Sequence, residues 1–105
     1  MDFAQRIAAM RPAYLTRTQE RLERLRERLD TCPEGERRAA LEEARMLFHD
    51  LAGTAPVMGL AELGASARSV EDQVLGMLRS DEPVSEACIA QMSLAVGLLC
   101  RELAR

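Results

Sequence analysis

Apolar positions recur along most of this chain at intervals of three and four, and polar punctuation cuts the pattern into helical lengths. Phe3, Ile7 and Met10 share one face of a short first helix over residues 2–10, and Pro12 then suits the first turn of a second. From Ala13 to about Asp30, Leu15, Leu22, Leu25 and Leu29 form an apolar stripe among arginines and glutamates. Cys32-Pro33-Glu34-Gly35 breaks that stripe. A third helix is expected over about residues 36–55, ended by Pro56 and Gly59, and a fourth over about 60–79. Ser80-Asp81-Glu82-Pro83 reads as a turn, with Pro83 in the first turn of a last helix over about 83–104. No segment alternates as a strand does. Because the connections are short, consecutive helices should run antiparallel. The expected fold is all-α: one domain over residues 1–105, an antiparallel up-down four-helix bundle with a short extra N-terminal helix.

Composition narrows this picture. Nearly half of the 105 residues are apolar, yet only Phe3, Tyr14 and Phe48 are aromatic, so the core must be built from Leu, Ala, Val, Met and Ile. Met10, Met46, Met58, Met77 and Met92 fall mostly at helical apolar spacing and are expected to fill it. A net charge of −3 with mixed signs offers no basic face for nucleic acid and no polybasic membrane patch. All 14 basic residues are arginine, which removes any mechanism needing a lysine amine. Cys88 and Cys100, on one helix, stand about 18 Å apart along the axis, too far for a disulfide. With Cys32 they read as reduced thiols of a cytoplasmic protein. No signal-peptide core follows Met1, and the longest uncharged run, Ala87 to Cys100, is too short to span a bilayer. One histidine and three scattered cysteines do not make a metal site. A Gly-rich phosphate loop is absent too, so the chain is not a kinase by itself.

The candidate chemistry centres on that one histidine, His49, in the string Phe48-His49-Asp50-Leu51-Ala52-Gly53-Thr54-Ala55-Pro56-Val57-Met58-Gly59-Leu60. At roughly 100° per residue, Leu41, Ala44, Leu47, Phe48, Leu51, Ala55 and Met58 define the buried side, and His49 points roughly 145° from its centre, into solvent. Gly53 lies on the same outer face, with Arg45, Ala52 and Pro56 nearer its margin. A glycine inside a helix costs about 1 kcal/mol relative to alanine. One turn after His49 it leaves room for another protein to approach the imidazole; early termination of the helix before Pro56 is the other explanation. On the next helix Leu60, Leu63, Ala67, Val70, Val74 and Leu78 make the apolar stripe, and Glu71 sits roughly 50° from its centre. A carboxylate at the edge of a core needs a partner, and Arg68, one turn earlier, is one candidate.

The string resembles the active-site helix of histidine-containing phosphotransfer (HPt) domains, whose pattern reads His-x-Leu-Lys-Gly and ends in a second glycine. His49, Leu51, Gly53 and Gly59 match, and Ala52 stands where the family usually has lysine. Those domains place a Gln or Glu on the next helix twenty-two residues after the histidine, and Glu71 has that spacing. The resemblance implies a phosphoryl carrier, not an enzyme. His49 would be phosphorylated at Nε2, with Glu71 accepting a hydrogen bond from Nδ1–H and so fixing the tautomer. Arg45 or Arg68 would supply the positive charge that Ala52 cannot. Gly53, Ala52 and Pro56 would form the docking surface, with Val57 and Met58 as weaker members. The implied partners are response-regulator receiver domains and a histidine kinase acting through one. Mg²⁺ is expected on the receiver and no cofactor on this chain, which should be a monomer. One alternative is a helical adaptor that keeps the scaffold without carrying phosphate, a reading supported by Ala52. Another is the phosphotransfer domain of a chemotaxis-type kinase, against which a start at Met1 and the lack of a trailing linker weigh.

Overall fold

The structure is a computed structural model that describes residues 1–104. It holds four α-helices, α1 (Phe3–Asp30), α2 (Arg37–Thr54), α3 (Ala61–Arg79) and α4 (Glu86–Leu103), with a 3-10 turn at Glu34–Glu36 and no strand among the described residues. They form the expected all-α bundle, in which α2 packs most extensively on α3 and α1 on α4.

The short first helix does not exist as a separate element. Residues 3–10 and 13–30 belong to one helix, with Pro12 inside it. Proline removes one helical N–H and normally breaks a helix interior. Here Pro12 and Ala8, whose carbonyl loses that donor, are both exposed, so the loss falls on the solvent side of the helix. Contacts on either side hold the chain helical. Asp2 accepts from the Gln5 amide at 2.8 Å while Gln5 accepts from the Asp2 amide at 2.9 Å, a reciprocal cap on the first turn. Immediately before the proline, the Arg11 Nε donates to the Met58 carbonyl at 2.7 Å. Tyr14 donates to Thr54 Oγ1 at 2.7 Å, that hydroxyl being itself committed to the Asp50 carbonyl. Arg11 thus lies level with the end of α2, and the turns before it project past the bundle with Phe3 and Met10 exposed.

The last helix also starts later than expected. Pro83 precedes it, and Ser85 caps it by accepting from the Cys88 amide at 3.1 Å. Serine supplies the side-chain acceptor that proline lacks, so the boundary moves to Ser85. All three cysteines are free. Burial, and secondarily the nearby Glu23 carboxylate, push the Cys100 thiol above its ordinary value, which leaves it a poor nucleophile.

The core is largely aliphatic around Phe48, with Tyr14 buried beside it: Phe48, Leu22, Leu29, Leu41, Leu51, Met92, Val74 and Val96 are fully buried. The expected stripes of α2 and α3 face it, with Met58 and Leu60 half-buried at their ends. Two methionines depart from the core-filling expectation. Met10 is exposed because its turn of α1 projects past the bundle, and Met46 because it lies on the outer face of α2.

Candidate functional site

The site is built on the outer face of α2 and positioned by α3. The α2–α3 corner is tight. After Thr54 the chain turns through Ala55–Gly59, and Gly59 takes φ +77°, a left-handed conformation suited to glycine. The Leu60 amide then donates back to the Ala55 carbonyl at 2.9 Å. One turn into α3, a Cβ on Gly64 would stand 2.8 Å from the Pro56 ring, so the two helices approach as closely as a bare glycine allows. Ala44, Ala55 and Ala67, each fully buried, keep the neighbouring layers thin.

This close approach brings Glu71 of α3 to His49 of α2. The His49 Nδ1 lies 2.8 Å from Glu71 Oε2, the histidine side chain 72% exposed and the glutamate only 14%. A carboxylate only accepts, so the Nδ1 facing it is the donor, and in the neutral tautomer with that proton the lone pair is on Nε2. Nε2 makes no hydrogen bond among the described residues. Glu71 is held at the edge of the core while the imidazole stands out in water. Arg68, the other candidate partner for Glu71, forms no ion pair among the described residues and is exposed.

The two arginines are placed differently. Arg45 folds back along its own helix, its Nε 3.1 Å from Glu42 Oε2, so its charge is partly engaged. Arg68, one turn before Glu71 on α3, is exposed and has no ion-pair partner among the described residues.

The three docking candidates also separate. Gly53 is exposed, and a Cβ built on it would meet nothing within 4 Å. It is helical, with Ala55 continuing in right-handed conformation, so early termination does not explain it. Pro56 is exposed on one side and packed on Gly64 on the other. Ala52 corrects the expectation: it is buried. His49, Ala52 and Pro56 form a stripe at i, i+3 and i+7, and both its ends touch α3, which therefore covers the alanine between them.

Two neighbours were missed by sequence reasoning. Met46, one turn before His49, is 63% exposed and shares its face with Gly53 and the exposed Val57. Its phase on the helix carries that signal, and its residue type, which suits a core, hides it. Arg21 of α1 bonds Asp50 Oδ2 at 2.7 Å, which brings a cation beside the histidine's neighbour. No local pattern connects residues that far apart in sequence.

An exposed imidazole with one nitrogen oriented and the other free is fit to take and release an electrophilic group. No cluster of metal-ligating side chains occurs among the described residues, and no helix among them is long and apolar enough to cross a membrane. No curated protein and no solved structure matches the chain. The family model described as Hpt domain matches residues 9–104, nearly the whole sequence and all of the site. The chain therefore belongs to the Hpt domain family, the histidine phosphotransfer modules of phosphorelays.

Proposed function

We propose that this chain accepts a phosphoryl group on His49 Nε2 from the aspartate of a response-regulator receiver domain and passes it to another receiver. In the forward step the Nε2 lone pair attacks phosphorus and a P–N bond forms. The P–O bond to the aspartyl carboxylate breaks, and the carboxylate leaves with that electron pair. The ring becomes imidazolium-like as the bond forms, and Glu71, already holding Nδ1–H, stabilises that charge. The receiver brings its Mg²⁺, which neutralises the phosphoryl oxygens. On this chain Arg68, which has no ion-pair partner among the described residues, is the less committed of the two arginines that could add to that, since Arg45 is turned to Glu42. The exposed strip Met46, His49, Gly53 and Val57 is the docking surface, with Pro56 at its margin.

The observation that carries this reading is the 2.8 Å contact between His49 Nδ1 and Glu71 on an otherwise open imidazole. Ala52 keeps a second reading alive, an adaptor that binds a receiver and carries nothing, because position 52 provides no cation for phosphate. One experiment separates them. Receiver domains from the same genome, phosphorylated with acetyl phosphate, are mixed with the wild-type chain and with His49→Gln. Acid-labile, alkali-stable label on the wild type alone establishes the carrier. Binding without label establishes the adaptor.

A further inference from the structure

On α1, Arg17, Arg21, Arg24 and Arg28 recur at i, i+4, i+7 and i+11, so they share one face over about 16 Å of helix. That face borders the outer side of α2. Arg21 is tied to Asp50 at 2.7 Å, and Arg28 to Glu36 and Glu43 at 3.3 and 3.0 Å. These ion pairs fix two guanidinium groups along the α1–α2 seam. Arg17 and Arg24 are exposed and have no carboxylate partner among the described residues. Between the helices runs an open groove of about 370 Å³, walled by Arg21, Arg24 and Arg28 with Glu43 opposite, over apolar Leu25, Leu47 and Met46. Met46 belongs to both surfaces: it lines this groove and stands one turn from His49 on the exposed strip.

The chain as a whole carries −3, so an acidic protein is repelled on average. On the flank of the histidine, the α1 stripe sets two arginines, Arg17 and Arg24, outside any ion pair among the described residues.

We propose that the arginine stripe of α1 is a second contact surface for the receiver, taking a carboxylate-rich face of that domain while its aspartyl phosphate meets His49. The inference rests on the phosphotransfer reading above. Charge complementarity selects an acidic occupant, and continuity through Met46 makes it the same protein that reaches the imidazole. Arg17 and Arg24 supply the unspent charge, and the apolar groove floor receives the side chains between the partner's carboxylates. The stripe then governs capture and orientation, while the transfer step stays with His49 and Glu71.

The test is phosphotransfer kinetics at low and high salt. A receiver phosphorylated with acetyl phosphate donates to the wild type, to Arg17→Glu/Arg24→Glu, to Arg17→Gln/Arg24→Gln and to Arg79→Glu/Arg101→Glu. The last pair changes net charge equally at exposed sites on α3 and α4. Circular dichroism and Tm verify that each variant is folded. Reversing Arg17 and Arg24 should raise KM for the receiver about tenfold or more at low salt, with kcat kept and the salt dependence flattened. The Gln pair should fall between, and the Arg79/Arg101 pair should match wild type. Equal KM in the Arg17/Arg24 variants and wild type, or an equal loss in the Arg79/Arg101 control, overturns this inference and leaves the carrier reading standing. Failure of the wild type to take label from any receiver removes both.

Discussion

The two flanks of α2 are built on opposite terms. On the α3 side the contact residues are small: Gly64 under Pro56, with Ala52, Ala55 and Ala67 buried nearby. The helices close until one carboxylate meets one imidazole nitrogen at 2.8 Å. On the α1 side the residues are long and charged, a groove stays open, and Arg21 and Arg28 bridge it through surface ion pairs. Small residues fix a distance because a close-packed seam cannot be deformed without clash. Long cations leave distance adjustable, and exposed ion pairs of this kind hold only about 0–1 kcal/mol each. One flank therefore fixes the His49–Glu71 distance, and the other leaves an open surface whose spacing can adjust.

The largest effect follows from removing the group that both flanks serve. His49→Gln should abolish label transfer while leaving Tm near wild type, since the side chain is mostly in water. A variant that still took acid-labile label would move the chemistry off the strip altogether. Glu71→Ala sharpens the α3 side of the comparison. Transfer should slow by about ten- to a hundredfold, the range seen when a partner orienting an imidazole is removed, with the KM for the receiver little changed. Glu71→Gln retains an acceptor oxygen for Nδ1–H and should recover part of the rate. An unchanged rate in Glu71→Ala would make the 2.8 Å contact structural only.

Widening the tight seam comes next. A side chain on Gly64 meets the Pro56 ring at 2.8 Å, so Gly64→Val should lower stability by about 1–3 kcal/mol, read as a fall in Tm. It should also slow transfer, because the start of α3 carries Glu71 with it. A matching insertion on the other flank, Arg24→Leu, should leave Tm nearly unchanged, since Arg24 is exposed and unpaired among the described residues. If both substitutions cost the same stability, the two flanks do not differ as described.

Legibility in the sequence follows the same division. Periodicity located the stripes of α2 and α3 and the Leu22, Leu25 and Leu29 part of α1, and put His49 outward and Glu71 at a core edge, because those are properties of a single helix and its phase. The His49–Glu71 pairing came from the resemblance, and the geometry agrees with it. What the sequence hid depended on a neighbouring helix. Ala52 looked marginal on its own wheel and is buried only because α3 lies over it. Met46 looked like core and is exposed because no helix covers that arc. Pro12 looked like a boundary, and only its exposure and the ties at Arg11 and Tyr14 let the helix run through it. Arg21–Asp50 joins two helices with no pattern to announce it.

The smallest expected effect is the most discriminating, because its two readouts should move in opposite directions. Gly53 sits in the helical part of the exposed strip, at a right-handed conformation, with open space where a Cβ would go. Nothing in this chain needs a glycine there, and Gly53→Ala should raise stability by about 0.5–1 kcal/mol through backbone entropy alone. The reason to keep glycine must then lie outside the chain, in whatever approaches His49 one turn away. Transfer from a receiver should fall modestly in Gly53→Ala and steeply in Gly53→Leu, while both variants melt at or above the wild-type temperature. A gain in Tm with unchanged transfer in both would place the partner elsewhere on the molecule, and would shift the search for its footprint from the α2 strip towards the α1 groove.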